Sequence, residues 1–145
     1  MSPFEFVGVM HMTNDGGCLC GKTRYQLTAS PKQTSICFCV DCRRASAAPM
    51  VAWASFPRKS LALLSGELTK IRHAGRLRLF ASCCGTPLFF QDAEDAEWVD
   101  VTICSMDRPE LQSPDVAIWT EDRLPWMTSA GPLPEFQRER ETPAS

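Results

Sequence analysis

Cys37-Phe38-Cys39-Val40-Asp41-Cys42 puts three thiols within six residues. Two further clusters lie outward from it, Cys18-Leu19-Cys20 toward the N-terminus and Cys83-Cys84-Gly85 toward the C-terminus. Only Cys104, of eight cysteines, stands apart. Cysteines that merely pack follow the hydrophobic periodicity of a core; clustered ones do not. Zinc takes a small tetrahedron of thiolates at a Zn–S distance of about 2.3 Å, and a Cys-x-Cys or Cys-x-x-Cys turn aims two sulfurs at one point. Spacing therefore predicts a metal protein, with a dithiol redox protein as the other reading of so many cysteines.

The division of ligands follows from the same spacing. Three thiolates from Cys37, Cys39 and Cys42 leave one tetrahedral position for water or substrate, as a catalytic zinc requires. Cys18, Cys20 and Cys84 form the other set, with Cys83 as its candidate fourth ligand. That set joins the start of the domain to a hairpin some sixty residues later. Four ligands there make a closed, structural site.

The rest of the chain reads as short strands. Residues 22–28 alternate, with Thr23, Tyr25 and Leu27 on one face. Residues 50–56 (MVAWASF) suit a buried strand, and 67–73 and 77–81 a hairpin turning at Ala74-Gly75. Residues 87–91, 98–104 and 115–120 read as further strands, with Val99, Val101 and Ile103 sharing a face. Cys104 has the opposite parity and is expected to pack on the other face. The best helix is 41–48, just after the middle cluster. Eleven prolines and eight glycines punctuate these pieces and favour a mainly β domain.

At 145 residues the chain suits one domain. The boundaries read as a variable leader over 1–15, running into the turn-like Asn14-Asp15-Gly16-Gly17, a zinc-binding domain over 16–137, and a flexible tail over 138–145. Met10 and Met12 are alternative start positions. A net charge of −2 argues against a general nucleic-acid surface. No apolar run reaches the roughly 18 residues needed to cross a membrane. No secretory signal is read, so a cytoplasmic location is expected, where the cysteines stay reduced.

The motifs in order resemble one family. Gly17-Cys18-Leu19-Cys20-Gly21, Arg24-Tyr25, the middle cluster with Arg43, Arg78-Leu79-Phe80 and Cys84-Gly85-Thr86 are similar to those of glutathione-dependent formaldehyde-activating enzymes, the centromere protein V / formaldehyde-activating domain. The resemblance continues through Met106-Asp107-Arg108-Pro109-Glu110, Ile118-Trp119 and Leu124-Pro125-Trp126 to Gly131-Pro132-Leu133-Pro134 and Phe136. It implies a β-tent fold of small sheets organised around zinc. It also implies a structural zinc on four cysteines, here Cys18, Cys20 and Cys84, and an active-site zinc on Cys37, Cys39 and Cys42. The implied activity is that of a carbon–sulfur lyase, or S-(hydroxymethyl)glutathione synthase, acting on a glutathione–aldehyde adduct or a related small thiol. Zinc, one or two ions, is the expected cofactor.

Three positions depart from the family pattern. Ala81 stands where its first cysteine after Phe80 belongs, leaving Cys83 as the candidate substitute. Phe38 and Ala117 stand where histidine is common. Arg43 and Arg44 follow the middle cluster directly and are the candidates for pairing with glutathione carboxylates; a solvated helix face is their blander role. Trp53, Trp98, Trp119 and Trp126 read as core or pocket wall, with Trp126 assigned to the pocket. His11 and His73 read as surface residues, and Asp107 as a turn cap. Competing with the enzyme are a non-catalytic zinc module that binds protein or nucleic acid, and a redox dithiol at Cys39 and Cys42.

Overall fold

The computed structural model describes residues 13–129 and 131–140. Expectations about Met10, Met12 and His11 fall outside these residues. The fold is mainly β and forms a single small domain. In chain order its strands are β1 (Asn14–Gly17), β2 (Arg24–Leu27), β3 (Gln33–Cys37), β4 (Val51–Pro57), β5 (Leu61–Ser65), β6 (Leu68–His73), β7 (Arg76–Ala81), β8 (Pro87–Gln91), β9 (Trp98–Thr102) and β10 (Val116–Ile118). Two short helices, α1 (Val40–Ser46) and α2 (Trp126–Ser129), accompany them. Among the described residues no helix is long and apolar enough to cross a membrane.

The strands form two sheets. One has the order β1-β2-β5 and the other β10-β3-β4-β9-β8-β7-β6. Neighbours pair antiparallel except β10, which runs parallel to β3. The alternation read in residues 22–28 is realised: Thr23, Tyr25 and Leu27 are all buried. Tyr25 meets Phe89 edge-to-face at 5.1 Å. The Tyr25 and Ser105 hydroxyls are 2.7 Å apart, so a fully buried phenol keeps a partner. Phe56, Leu88, Val99 and Val101 complete this core between the sheets. Burial pushes the Tyr25 phenol up to about 12, outweighing its bond to Ser105.

The turn expected over Asn14–Gly17 is instead a strand. Gly16 pairs with Tyr25, and a Cβ there would lie 2.3 Å from the Tyr25 hydroxyl oxygen. The backbone has to pass that close, so glycine is needed for space. Strands β3 and β5 also escape a reading by alternation. β5 is almost wholly exposed, with Leu63 and Leu64 open to solvent, and such a strand carries no inward-outward signal. β9 ends at Thr102, where the chain enters a 3₁₀ turn over Ile103–Ser105. That turn breaks the parity and leaves Cys104 exposed, where continued alternation would have packed it. Asp107 caps no turn; both its oxygens accept from the Arg24 guanidinium, joining the loop after β9 to β2.

Candidate metal centres

Seven of the eight cysteines converge in two groups. Cys18, Cys20, Cys83 and Cys84 bring their sulfurs within 4.8 Å of one another, and so do Cys37, Cys39 and Cys42. The first group is built by two loops. Cys18 and Cys20 lie between β1 and β2, and Cys83 and Cys84 between β7 and β8. Its sulfur separations are 3.7 Å for Cys18–Cys20, 3.6 Å for Cys18–Cys83, 3.3 Å for Cys20–Cys83 and 3.9 Å for Cys83–Cys84. The edge of a tetrahedron with a metal–sulfur distance of about 2.3 Å is roughly 3.8 Å. These residues therefore fit a four-coordinate zinc.

Local bonds hold the loops in that shape. The Thr23 N–H donates to Cys18 Sγ at 3.3 Å. Thr86 Oγ1 accepts the Leu19 N–H at 3.0 Å and lies 3.3 Å from Cys84 Sγ, so one hydroxyl touches both loops. Gly85, at φ +80, closes the second loop with an N–H bond of 2.8 Å to the Ala81 carbonyl; that left-handed backbone suits glycine. The bond to the Thr86 hydroxyl, helped by backbone N–H groups, brings the Cys84 thiol down to about 5. Burial pushes Cys18 up, but the Thr23 N–H and Cys83 outweigh it and bring the thiol down to about 7. Cys20 gains from a backbone bond at Lys22, yet Cys83 and burial drive it up to about 11. Thiolates this close to one another repel. A divalent cation is the partner that lets all of them ionise.

The second group comes from one continuous stretch. Cys37 ends β3, where Val51 of β4 and Ile118 of β10 flank it. Cys39 is the N-cap of α1, and its Sγ accepts the Cys42 N–H at 3.3 Å. One turn thus aims all three sulfurs together. Burial pushes the Cys37 thiol up to about 12 and also raises Cys42, against the pull of Arg78. Burial acts on Cys39 as well, but the Cys42 N–H overrides it and lowers the thiol.

These three cysteines line a cavity of about 410 Å³, within the range of roughly 300–1,000 Å³ typical of small-molecule sites. Trp53 and Phe90 form an aromatic wall with ring centroids 6.1 Å apart. Arg76 and Arg78 reach the cavity from β7; Asp92, Asp100 and Asp122 also line it. Arg78 Nη2 lies 3.9 Å from Cys42 Sγ, and its guanidinium sits 4.9 Å above Phe90, its cross-strand partner. The Ser55 hydroxyl donates to Asp100 across the β4–β9 pair. Burial raises the Asp100 carboxyl, only partly offset by that bond. Trp119 lines the cavity with a left-handed backbone, φ 55, a strained choice for a large side chain.

Arg43 and Arg44 do not line this cavity. They border a separate depression with Leu124 and Trp126. Trp53 and Trp119 are the tryptophans at the three-sulfur cavity, and Lys32 covers Trp98 at 4.5 Å. His73 is exposed and belongs to neither sulfur group. Of the arginines at this cavity, Arg78 reaches a sulfur and Arg76 lies 3.9 Å from Asp92; RLRLF carries both as charges on one face of a strand. Ser55 and Asp100 carried no such signal, because only the sheet brings them together.

The arrangement is thus a mainly β domain carrying two sulfur clusters suited to metal, one of them at a cavity. The sequence profile of the family described as glutathione-dependent formaldehyde-activating enzyme matches residues 13–122. The chain belongs to that family. Among solved structures, a Rhodobacter sphaeroides protein is similar in fold, with a TM-score of 0.56 at 20 % identity over 71 % of this chain and 98 % of that one. No curated protein matches.

Proposed function

We propose that the protein is a zinc-dependent carbon–sulfur lyase that joins the thiol of glutathione to an aldehyde and cleaves the adduct in reverse. The observation that carries this reading is a three-sulfur group lining a cavity of ligand size. A zinc ion held by Cys37, Cys39 and Cys42 would supply the positive charge that stabilises an incoming thiolate or polarises a carbonyl. The chain's own residues bind and orient. Both signs of charge line the cavity, which suits a zwitterionic tripeptide: Arg76 and Arg78 for its carboxylates, Asp92 and Asp122 for its ammonium group. Trp53 and Phe90 give the reacting groups an apolar wall.

In the condensation a carbon–sulfur bond forms as the carbonyl π bond breaks; the thiol proton passes to solvent, and the carbonyl oxygen takes up a proton from Asp100, which solvent then restores. Asp100 lines the cavity as the carrier of that proton: burial raises its carboxyl and the Ser55 hydroxyl fixes its orientation. In the reverse direction the same carboxylate takes the proton back from the adduct hydroxyl.

Cys39→Ser tests this reading. Serine is itself a good N-cap, so α1 keeps its cap while the sulfur is lost. The parent should accelerate adduct formation above the spontaneous rate, followed by exchange NMR. The variant should lose more than the roughly 10–100-fold that outer-shell partners of metal sites are worth, with its far-ultraviolet circular dichroism unchanged. A parent no faster than the spontaneous rate, or a variant as fast as the parent, refutes the reading.

A further inference from the structure

A second cavity, of about 260 Å³, lies against Cys42 of the three-sulfur group. Cys42, Trp53 and Arg78 border both cavities, so the second lies next to the first at one of its three cysteines. Their chemistry differs. The first is lined by arginines and aspartates; the second is walled chiefly by Ala45, Val51, Leu79, Phe80, Pro87 and Phe89. A register shift between Leu79 and Phe80 allows both neighbours to reach it. Its hydroxyls are already engaged. Ser46 donates to the Cys42 carbonyl at 2.7 Å, and Thr102 to the Pro87 carbonyl at 3.0 Å. A polar occupant would give up bonds to water and find few replacements, whereas an apolar one gains by burial.

A thiol–aldehyde adduct has a matching shape. Its central carbon carries the sulfur of the peptide, a hydroxyl group, and whatever chain the aldehyde brought. Formaldehyde brings none and would leave this cavity unused. We propose that the second cavity receives the carbon chain of the aldehyde, so that the preferred substrates are glutathione adducts of medium-length or aromatic aldehydes. The proposal rests on the function assigned above to Cys37, Cys39 and Cys42. At about 30 Å³ per water-sized group, the cavity has room for roughly eight such groups, enough for a six-carbon chain.

Two stable probes separate the possibilities: S-methylglutathione and S-hexylglutathione, titrated calorimetrically into the zinc-loaded full chain. Each buried methylene favours binding roughly fourfold; even partial burial of five should make the hexyl compound at least tenfold tighter. Ala45→Phe adds bulk from an exposed position on α1 and should erase most of that preference. Val51→Phe fills the cavity from β4 and serves if the first variant folds poorly. The same preparations are assayed for condensation of glutathione with hexanal and with formaldehyde, where the parent should favour hexanal. Equal binding of the two probes, with formaldehyde still condensed, overturns the chain subsite and spares the function. A hexyl preference that neither variant reduces also overturns it, because the chain then lies elsewhere. Failure to accelerate either condensation overturns the function and this inference together.

Discussion

Replacing both Cys83 and Cys84 by serine unties the four-sulfur cluster from one side. Both residues are exposed, so the substitutions open no core cavity and bury no new polar group. What they remove is a link between the β1–β2 loop and the β7–β8 loop. Cys18 and Cys83 are 65 residues apart. A cross-link that closes a ring of that size is worth about 4 kcal/mol through the denatured chain's entropy. For a chain of this length each kcal/mol moves the melting temperature by about 2–4 °C, so a fall of roughly 8–16 °C is expected. Calorimetry of the zinc-loaded parent and of C83S/C84S reads this directly, with metal content measured on the same samples. The variant should bind one metal ion fewer than the parent and respond less to a chelator than the parent does. Should the two proteins melt within 2 °C of each other and hold equal metal, the cluster is not a structural tie.

Two further perturbations test other parts of the fold. Asp100→Asn should remove the proton carrier and slow adduct turnover while raising stability near neutral pH. The sign follows from linkage: a carboxyl raised in the folded state binds more protons there than in the unfolded chain, so its contribution to stability falls as pH rises through that window. Urea melts of parent and variant across pH 4–8 check it, and a variant that is less stable at pH 8 than the parent contradicts the assignment. Gly16→Ala should cost about 1–3 kcal/mol, as overpacking does, because its Cβ would lie 2.3 Å from the Tyr25 hydroxyl oxygen and 2.7 Å from the Ser105 carbonyl oxygen; a denaturant midpoint unchanged from the parent would show that the strand relaxes freely.

Much of the site was legible because its signal is local. Cys37, Cys39 and Cys42 lie within one turn, and the structure groups them as their spacing implied. The strand over 87–91 and most of the one read over 98–104, which ends at Thr102, were legible because their buried residues recur with period two or run together between turns. What stayed hidden depends on partners distant in sequence. β1 looked like a turn because Asn14-Asp15-Gly16-Gly17 has turn composition, yet Tyr25 and the backbone near Ser105 fix it as a strand. Arg43 and Arg44 drew notice by adjacency to the cysteines. A helix, however, rotates consecutive side chains by about 100°, and the pair ends up beside Trp126. Arg78 is 36 residues from Cys42 and reaches it only because β7 lies in the same sheet.

Ala81 and Cys83 show why a metal cluster tolerates drift in its sequence pattern. Ala81 ends β7 fully buried, with its N–H bonded to the Thr86 carbonyl and its carbonyl to the Gly85 N–H. A side chain there is committed to the core. Two residues on, in the loop, Cys83 lies 3.6 Å from Cys18 and 3.3 Å from Cys20, sulfur to sulfur. A tetrahedral ion constrains where sulfur atoms sit and is indifferent to which backbone position delivers them. The cluster can therefore keep its four donors while the spacing Cys-x-x-Cys becomes Cys-Cys, provided the loop is held by other means. Here Thr86 and Gly85 hold it, and Thr86 also bonds the opposite loop through the Leu19 N–H. On this argument Thr86, which contributes no sulfur, helps hold the tie by bonding both loops.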